Sequence, residues 1–595
     1  MVKTPKKGRL RQESSQSKLI KAVLSATDSF VQGVSTIPRV CFGPDLRDQK
    51  GSAVDESVIL HRILSKYEIP SANNSSDRRL SSIRKCIAYD EEGLTSFKIS
   101  ELPDVNRELF WKARFECHKT FRGFKPTYRF VPPTGESALS SKGEGTDIAQ
   151  KLSDLRHWEV SPDALPYATR IVFHNYYLKR LVKKLFREHC ESRLGQPWRL
   201  MVAKWFSESK GNPGLYVVGK MFASLCTLNA VSRMTTVPKN NADDRVITCE
   251  PFWNMVCQLS LMSDIRDIMK RVHGLDLTKR ESIHRMMIKF REIATIDLKN
   301  ASNSVWMCVV RSFFTGGLLR LLEQLRTPHT SYQDGGTQYH HFNMFSPMGC
   351  GLTFDVMTML LWFHTQQLDI TSSVYGDDIV IRQDKAEFLI GHLELLGMRV
   401  NESKTFLHGS ISESCGAFYN HDARRYIHSF EIRRPKTLLD CIVLTNKVGS
   451  ILYHSVMGTE LRERFFKLHQ YLVSLFPPYV VRSRRELFAR YSPTHIYDDI
   501  VLVYHDCQEP DRRQTSCVYS RAMTKDLQRA VTLVRANHVR GIRVKQPLNT
   551  TAVETAWMYV RREYYPTNGT STFKAPHDLA TGSITNNYLF ASILA

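Results

Sequence analysis

The apolar positions of this chain change their period along its length. Between residues 252 and 272 they recur every three or four positions, the spacing of one helix face. From Ile293 onward short β-like runs alternate with helical segments. Residues 294–298 read as a strand, followed by a helix to about Phe314 and another helix after Gly351. Residues 374–381 read as strand, turn and strand, and 385–396 as a helix. Such alternation predicts an α+β or α/β centre. Residues 152–232 read as mixed helix threaded with Lys179, Arg180, Lys183, Lys184 and Arg187, and the stretch after Arg433 as mostly helical. Two stretches have no period and read as loops: 71–82, rich in Ser, Asn, Asp and Arg, and 132–147, rich in Gly, Ser and Pro. Residues 1–17 read as a flexible basic arm and the tail after Pro566 as irregular. No internal repeat is present.

At 595 residues and 42% hydrophobic content the chain can bury a large core and divides into several domain-sized units. Charge changes the picture more. Lys and Arg total 82 against 59 acids, an excess of +23 spread through the chain. A partner with many phosphates is the simplest physical reading; solubility or an anionic membrane surface are the plainer ones. The 13 Cys show neither a Cys-x-x-Cys pair nor zinc spacing, which points to reduced thiols in a reducing cytosol. No run approaches the ~18 apolar residues of a membrane span. The basic N-terminus has no apolar core after it, so it does not read as a secretory signal.

The chemistry starts at residues 374–381. Apolar runs flank Gly376, Asp377 and Asp378, which spells a β-hairpin with a tight turn. Two adjacent carboxylates repel, and a hard divalent cation such as Mg²⁺ relieves the repulsion. A bare Gly-Asp-Asp turns up by chance in about one chain in ten of this length, and Asp is favoured in turns for conformational reasons alone. Asp297 follows an apolar strand where a helix should begin. It is either an N-cap or the third carboxylate of a two-metal site, whose ions lie about 3.5–4 Å apart. Ser346, Gly349, Gly351 and Thr353 belong to a bendable loop that lets backbone approach a ligand, or to an ordinary turn before a helix. Lys239 and Arg245 flank a turn able to grip a triphosphate, or a solvated hairpin loop. Lys404 follows Asn401, shortly before Glu413-Ser-Cys-Gly. Residues 214–221 nearly spell a Walker A loop, but Met221 stands where the Mg²⁺-binding hydroxyl belongs and the intervening residues are apolar, so the match is chance. The run from Trp557 to Tyr565 interleaves aromatics with Arg, as a site for stacking a base or as an amphipathic core helix.

Taken in order, these elements resemble motifs F, A, B, C, D and E of viral RNA-dependent RNA polymerases, and above all the replicase catalytic subunit of leviviruses, the single-stranded RNA bacteriophages. Val237-Pro-Lys-Asn, Glu250-Pro-Phe-Trp-Asn-Met, Gly274-Leu-Asp-Leu, Ala294-Thr-Ile-Asp-Leu, Met348-Gly-x-Gly-x-Thr-Phe, Val374-Tyr-Gly-Asp-Asp-Ile and Glu413-Ser-Cys-Gly carry the resemblance, over roughly residues 235–420. It implies an α+β right-hand fold of fingers, palm and thumb, with an antiparallel palm sheet and mostly helical extensions. On that plan 1–110 is a basic arm and extension, and 111–290 fingers with an interleaved palm segment, motif F lying near 237–250. Residues 291–420 are then the palm core, and 421–595 thumb and C-terminal extension.

The implied activity is RNA-templated RNA synthesis from ribonucleoside triphosphates, replicating a single-stranded RNA phage genome. By the same resemblance Asp297, Asp377 and Asp378 would hold two Mg²⁺ ions, for which Mn²⁺ could substitute, with the Leu298 carbonyl as a further ligand. Asp297 and Asp377 are expected at the centre and Asp378 at the periphery. Lys239 and Arg245 would neutralise phosphate, and Lys404 would protonate pyrophosphate. Ser302, Asn303, Ser346, Gly349 and Thr353 would sit at the incoming nucleotide. The implied partners are template and product RNA, NTPs, host translation elongation factors Tu and Ts and a ribosomal protein, in the cytoplasm of a bacterial host. One departure stands out: the family usually has Asp where this chain has Asn303. The rival readings are a reverse transcriptase, disfavoured by the polar residues after Asp297 and by Gly376, and a non-catalytic RNA-binding protein with a polymerase-like fold.

Overall fold

A computed structural model of the chain describes residues 15–35, 52–67, 75–133, 138, 151–152, 154–191, 197–239, 244–436 and 438–476, and three short strands between 481 and 518. They fall into two units. The smaller draws on Met1–Ala72, Lys239–Ala242 and Phe418–Lys525, and the larger on Asn73–Pro238 and Asp243–Ala417.

In the smaller unit helices Ser15–Ser35 and Ser52–Leu64 pack with Leu438–His454 and Thr459–Ser474. Val34, Val58, Ile63, Val448 and Phe465 are fully buried there. The carboxylate of Asp55, itself buried, accepts hydrogen bonds from Arg425 Nη2 at 2.6 Å and Asn420 Nδ2 at 3.0 Å. That ties the second helix to the two-stranded ladder in which Phe418 faces Ile427. The stretch after Arg433 also holds three antiparallel strands, Val481–Ser483, Ile500–His505 and Ser516–Val518, where helix was expected. The run from Trp557 to Tyr565 and the tail after Pro566 lie outside the described residues.

The larger unit is built, in chain order, from helices α1 (Ser75–Glu91) and α2 (Asp104–Thr120), then α3 (Leu165–His174), α4 (Tyr176–His189), α5 (Trp198–Glu208) and α6 (Pro213–Leu225). Strands β1 (Val231–Pro238) and β2 (Asp244–Cys249) lead into α7 (Phe252–His273) and α8 (Leu277–Met287). Strand β3 (Ile293–Ile296), helix α9 (Met307–Phe313) and strands β4 (His329–Gln333) and β5 (Thr337–His341) follow. Last come α10 (Thr353–Leu368), β6 (Ser373–Tyr375), β7 (Asp378–Arg382), α11 (Gln383–Leu395) and β8 (Ile411–Ser414). Two sheets matter: β2-β1-β4-β5, and the antiparallel trio β3-β7-β6. One contiguous apolar core runs from Ile83 to Met398. At its heart lies α10, buried at almost every position from Thr353 to Thr365, as befits a helix apolar on all sides.

Residues 75–82 are a correction to the loop reading. They form the first two turns of α1, whose Ser82, Ile83, Cys86 and Asp90 recur at helical spacing and are buried. The polar composition hid this face, because two of its members are themselves polar. Arg78 pairs with the buried Asp244 at 3.0 Å, and the Asp90 carboxylate accepts from the backbone N–H groups of Asn343 and Met344 and from His340. The Walker-like segment lies inside α6, a regular helix with no phosphate-cradling loop.

Candidate nucleotidyl-transfer site

Strand β7 is sandwiched between β3 and β6. Ile379 pairs with Ile296 on one side, and Asp378 with Tyr375 on the other. Asp297 directly follows Ile296 and Asp378 directly precedes Ile379, so the two carboxylates emerge side by side at one end of the sheet. Gly376 and Asp377 form the two-residue loop of the hairpin. Gly376 has φ +63°, the left-handed value that the first central residue of a type II′ loop requires. A Cβ there would also stand 2.6 Å from the Phe354 ring of α10. Turn geometry and packing both demand glycine.

Asp297 is only 8% exposed, and it is not an N-cap. The short 3₁₀ turn beyond it, Ala301–Ser304, is preceded by Asn300. The Asp297 carboxylate instead accepts a 2.6 Å bond from Asn401 Nδ2, and Lys404 Nζ lies 3.8 Å from the same Oδ2. Its main chain is fixed too: Asn401 N donates to Asp297 O at 2.8 Å, and Asp297 N to Thr405 Oγ1 at 3.2 Å.

A fourth carboxylate joins from β8. Glu413 is buried and accepts from the Gly416 N–H at 2.9 Å. Burial first, then the charge of Asp378, pushes its pKa up to about 8, against the pull of Lys404. Burial, then Asp377 and Asp297, pushes Asp378 up to about 6. Lys404 is raised as well: burial opposes its charge, but Asp297, Glu413, Asp378 and Asp377 together outweigh burial. Asp378 is thus raised by both neighbouring aspartates, and in turn raises Glu413. Sequence reasoning quoted Glu413 inside a motif without giving it a place in the site. The signal available was a lone acid in the four-residue strand Ile411–Ser414, every position of which is buried.

The donors are hard oxygens, and their mutual repulsion leaves them short of positive charge, so their chemistry fits a divalent ion. Among the described residues, however, no three His, Cys, Asp or Glu side chains are gathered tightly enough to coordinate one ion. The carboxylates are within electrostatic reach of one another and not yet in one coordination sphere. Leu298 is buried, in register with Val400.

The expected nucleotide contacts are dispersed. Ser346 and Thr353 are both buried; their hydroxyls bond each other at 2.5 Å, and Thr353 Oγ1 also donates to Pro347 O at 3.1 Å. Gly349 has φ +110°, and a Cβ on it would stand 2.0 Å from Thr248 O of β2. This loop is pinned down: Thr248 N donates to Met348 O at 2.7 Å, and Gly351 N to Gln258 Oε1 of α7 at 2.9 Å. Asn303 Nδ2 points to Cys86 Sγ at 3.5 Å, and Ser302 Oγ to Asn303 Oδ1 at 3.4 Å. Arg245 is exposed in β2, opposite Val237. Lys239 belongs to the smaller unit, where its carbonyl accepts from Lys66 Nζ.

A family described as RNA replicase, beta-chain, matches residues 215–542, more than half of the chain. The chain belongs to that family. The match runs beyond the motif-bearing stretch on both sides, into C-terminal sequence where no motif is readable. The RNA-directed RNA polymerase beta chain of Enterobacteria phage GA is 32% identical over 253 residues, 41% of this chain and 46% of that protein. The beta subunit of Qbeta virus (strain MX1) is 30% identical over 333 residues, 52% and 53% of the two chains. The beta chain of Escherichia phage MS2 is 32% identical over 252 residues, 41% and 45%. The chain thus spans about half the length of the curated relatives it matches. Among solved structures, the RNA-dependent RNA polymerase of a human picorbirnavirus is similar at TM-score 0.30 and 14% identity, over 42% of this chain and 58% of that one. A dsRNA-virus polymerase complex is similar at TM-score 0.33 and 10% identity, over 91% and 50%. The mixed helix-and-sheet architecture of this replicase-family chain agrees with the sequence reading. No helix among the described residues is long and apolar enough to cross a membrane.

Proposed function

We propose that the protein copies an RNA template into RNA from ribonucleoside triphosphates, as the catalytic chain of a phage replicase. The observation that carries this reading is the crowding of Asp297, Asp377, Asp378 and Glu413 around Lys404, in a chain of the replicase family. Asp297, Asp377 and Asp378, with the Leu298 carbonyl, would hold two Mg²⁺ ions. When bound, these would acidify the 3′-hydroxyl of the growing strand and offset the charge of the triphosphate. Asn401 would keep the Asp297 carboxylate in one rotamer, so that little reorganisation is needed as nucleotide arrives. Lys404, held cationic by the surrounding carboxylates, would give a proton from Nζ to the departing pyrophosphate. Lys239 and Arg245 would meet the phosphates, and Ser302 and Asn303 the ribose. Ser346 and Thr353, whose hydroxyls bond each other, would reach nucleotide only if the Gly349 loop lifts from β2. Fingers, palm and thumb would follow the segment order expected from the sequence. Host elongation factors Tu and Ts and a ribosomal protein would assist in the bacterial cytoplasm.

The test is RNA synthesis by the full chain on a defined primed template with Mg²⁺, comparing wild type with Asp378→Ala. Template-directed product from the wild type and none from the variant is expected. Equal product from both would end the reading of these carboxylates as catalytic. A preference for deoxynucleotides would favour a reverse transcriptase instead.

A further inference from the structure

Helices α3 to α6 carry positive charge that nucleotidyl transfer does not use. Between residues 170 and 220 the chain has eleven Lys and Arg and only three Glu. In α4 the apolar positions Leu178, Leu181, Val182 and Phe186 are buried, which turns the cations outward. Tyr176, Arg180, Lys183 and Arg187 are all exposed and follow one another by four, three and four residues. Such spacing places them on a single stripe. The acids compensate little. Glu191 lies 3.9 Å from Arg187 and Glu208 3.9 Å from Lys204. Lys179, Arg180, Lys183, Lys184 and Arg199 form no ion pair among the described residues.

Aromatic rings are interleaved with these cations. Arg180 lies 5.7 Å over the ring of Tyr176, and Lys179 Nζ 5.2 Å from Phe173. Lys183 reaches across to α5, 5.7 Å from the Trp198 ring, which Arg199 covers at 5.6 Å. Lys220 of α6 lies 5.4 Å from Tyr216. These are five cation–π pairs in fewer than fifty residues, where about one per 70–80 residues is ordinary. The stripe therefore continues from α4 onto α5. Tyr176 and Phe206 remain about 60% exposed, with ring surface still open.

We propose that this face binds single-stranded RNA, tolerant of sequence, as a platform outside the nucleotidyl-transfer site. Uncompensated cations match the regular negative charge of a backbone, and open rings offer a surface on which unpaired bases stack. A duplex hides its base faces and gives the rings nothing to stack on. An acidic protein would satisfy the charge and leave Tyr176 without a role. The proposal goes beyond the polymerase reading and does not need the carboxylates to be catalytic.

The test uses the full chain and an end-labelled mixed-sequence RNA of about 16 nucleotides, within the site sizes of such grooves. Fluorescence anisotropy reads its affinity between about 0.05 and 0.3 M KCl. Neutralising four cations together (Lys179→Gln, Arg180→Gln, Lys183→Gln, Arg199→Gln) should lower affinity at least tenfold near 0.15 M, where backbone contacts dominate. The slope of log affinity against log salt should become shallower by about 3, at ~0.7 per phosphate contact on a single strand. Tyr176→Ala should weaken binding about tenfold and leave that slope alone, because stacking releases no counterion. Melting curves like the wild type's would exclude misfolding. An unchanged slope in the fourfold variant would overturn the proposal. So would loss of poly-glutamate binding with RNA binding intact, which would assign the face to an acidic protein. Equal weakening on duplex RNA with no effect of Tyr176→Ala would overturn the single-strand assignment. Extension of a short primed template by the wild type reads the polymerase separately; its failure would sink that reading and leave the binding data standing.

Discussion

At the end of the β3-β7-β6 sheet four carboxylates, Asp297 and Glu413 buried and Asp377 and Asp378 half-buried, crowd around one ammonium, whereas along α4 and α5 cations crowd together in water. Both regions gather like charge, and their surroundings set the consequences of that crowding. In this partly buried cluster the interactions are less screened than in water, and burial with like charge pushes the pKa values of Asp378 and Glu413 up. Along α4, solvent and salt screen neighbouring cations over a Debye length of about 8 Å, and the stripe is tolerated without a partner. The first region asks for a small hard cation bound at fixed stoichiometry. The second asks for a long flexible polyanion whose hold weakens with salt. The acidic end should therefore answer to divalent metal and pH, and the basic face to monovalent salt.

The sharpest way to break this contrast is Asp297→Asn. Removing one charge-bearing ligand from the acidic end should reduce template-directed synthesis on the order of a thousandfold. Affinity for single-stranded RNA should stay within about twofold of wild type, since no phosphate contact is lost. Primed extension and anisotropy on the same preparation measure both. If Asp297→Asn weakens RNA binding as much as neutralising the stripe does, the two regions are one site and the comparison falls.

Lys404→Leu asks whether the one cation among the acids acts in the reaction or only holds the cluster together. A general acid contributes about a hundredfold or more, so kcat should drop by that order. Removing its charge leaves the carboxylates more negative, so the Mg²⁺ concentration at half-maximal rate should fall. Titrating Mg²⁺ in single-turnover extension separates the two effects. An unchanged kcat would remove Lys404 from the chemistry.

The acidic end was more legible in the sequence than the rest, for a local reason. Asp297, Asp377 and Asp378 each sit beside short apolar strands whose period is plain, and α7 and α11 end within two residues of the bounds read from spacing. Glu413 was not legible as a partner, because its strand reaches Asp378 through tertiary packing and no spacing connects them. The helical start of α1 was hidden because Ser82 and Asp90, polar residues, lie on its buried face. The basic stripe on α4 was visible as composition only. Its meeting with Trp198 depends on how α4 and α5 lie against each other.

Glu413→Gln probes the buried cluster through pH. A carboxyl whose folded pKa lies near 8 against an unfolded value of 4.5 keeps its proton in the folded state and loses it in the unfolded one between those limits. The folded state then binds more protons, so this group's contribution to stability falls as pH rises from about 4.5 to about 8. Gln cannot ionise and removes the loss. In chelator, the denaturation midpoint of Glu413→Gln should climb relative to wild type across that window, on the order of 1 kcal/mol per pH unit before screening and coupling reduce it. Saturating Mg²⁺ should shrink the difference by supplying the missing positive charge. A difference flat with pH would mean that Glu413 is not part of the crowded cluster.

The smallest expected effect concerns Asn303, the departure from the family pattern that the resemblance implies. The amide has hydrogen-bonding ability without charge. Its present contacts are weak, a sulfur acceptor (Cys86 Sγ at 3.5 Å) and a long 3.4 Å bond from Ser302 Oγ, so the side chain can turn to a ribose hydroxyl at little cost. One neutral hydrogen bond is worth about 0.5–1.5 kcal/mol, roughly two- to tenfold. Asn303→Ala should therefore lower the preference for ribo- over deoxyribonucleotides several-fold, through weaker ribonucleotide use alone. Competition between ATP and dATP in single-nucleotide extension measures it. Because Asn303 is uncharged, its loss should leave the Mg²⁺ titration and the salt slope of RNA binding as they were. A shift in either would show that this position couples to one of the charged regions rather than to the sugar.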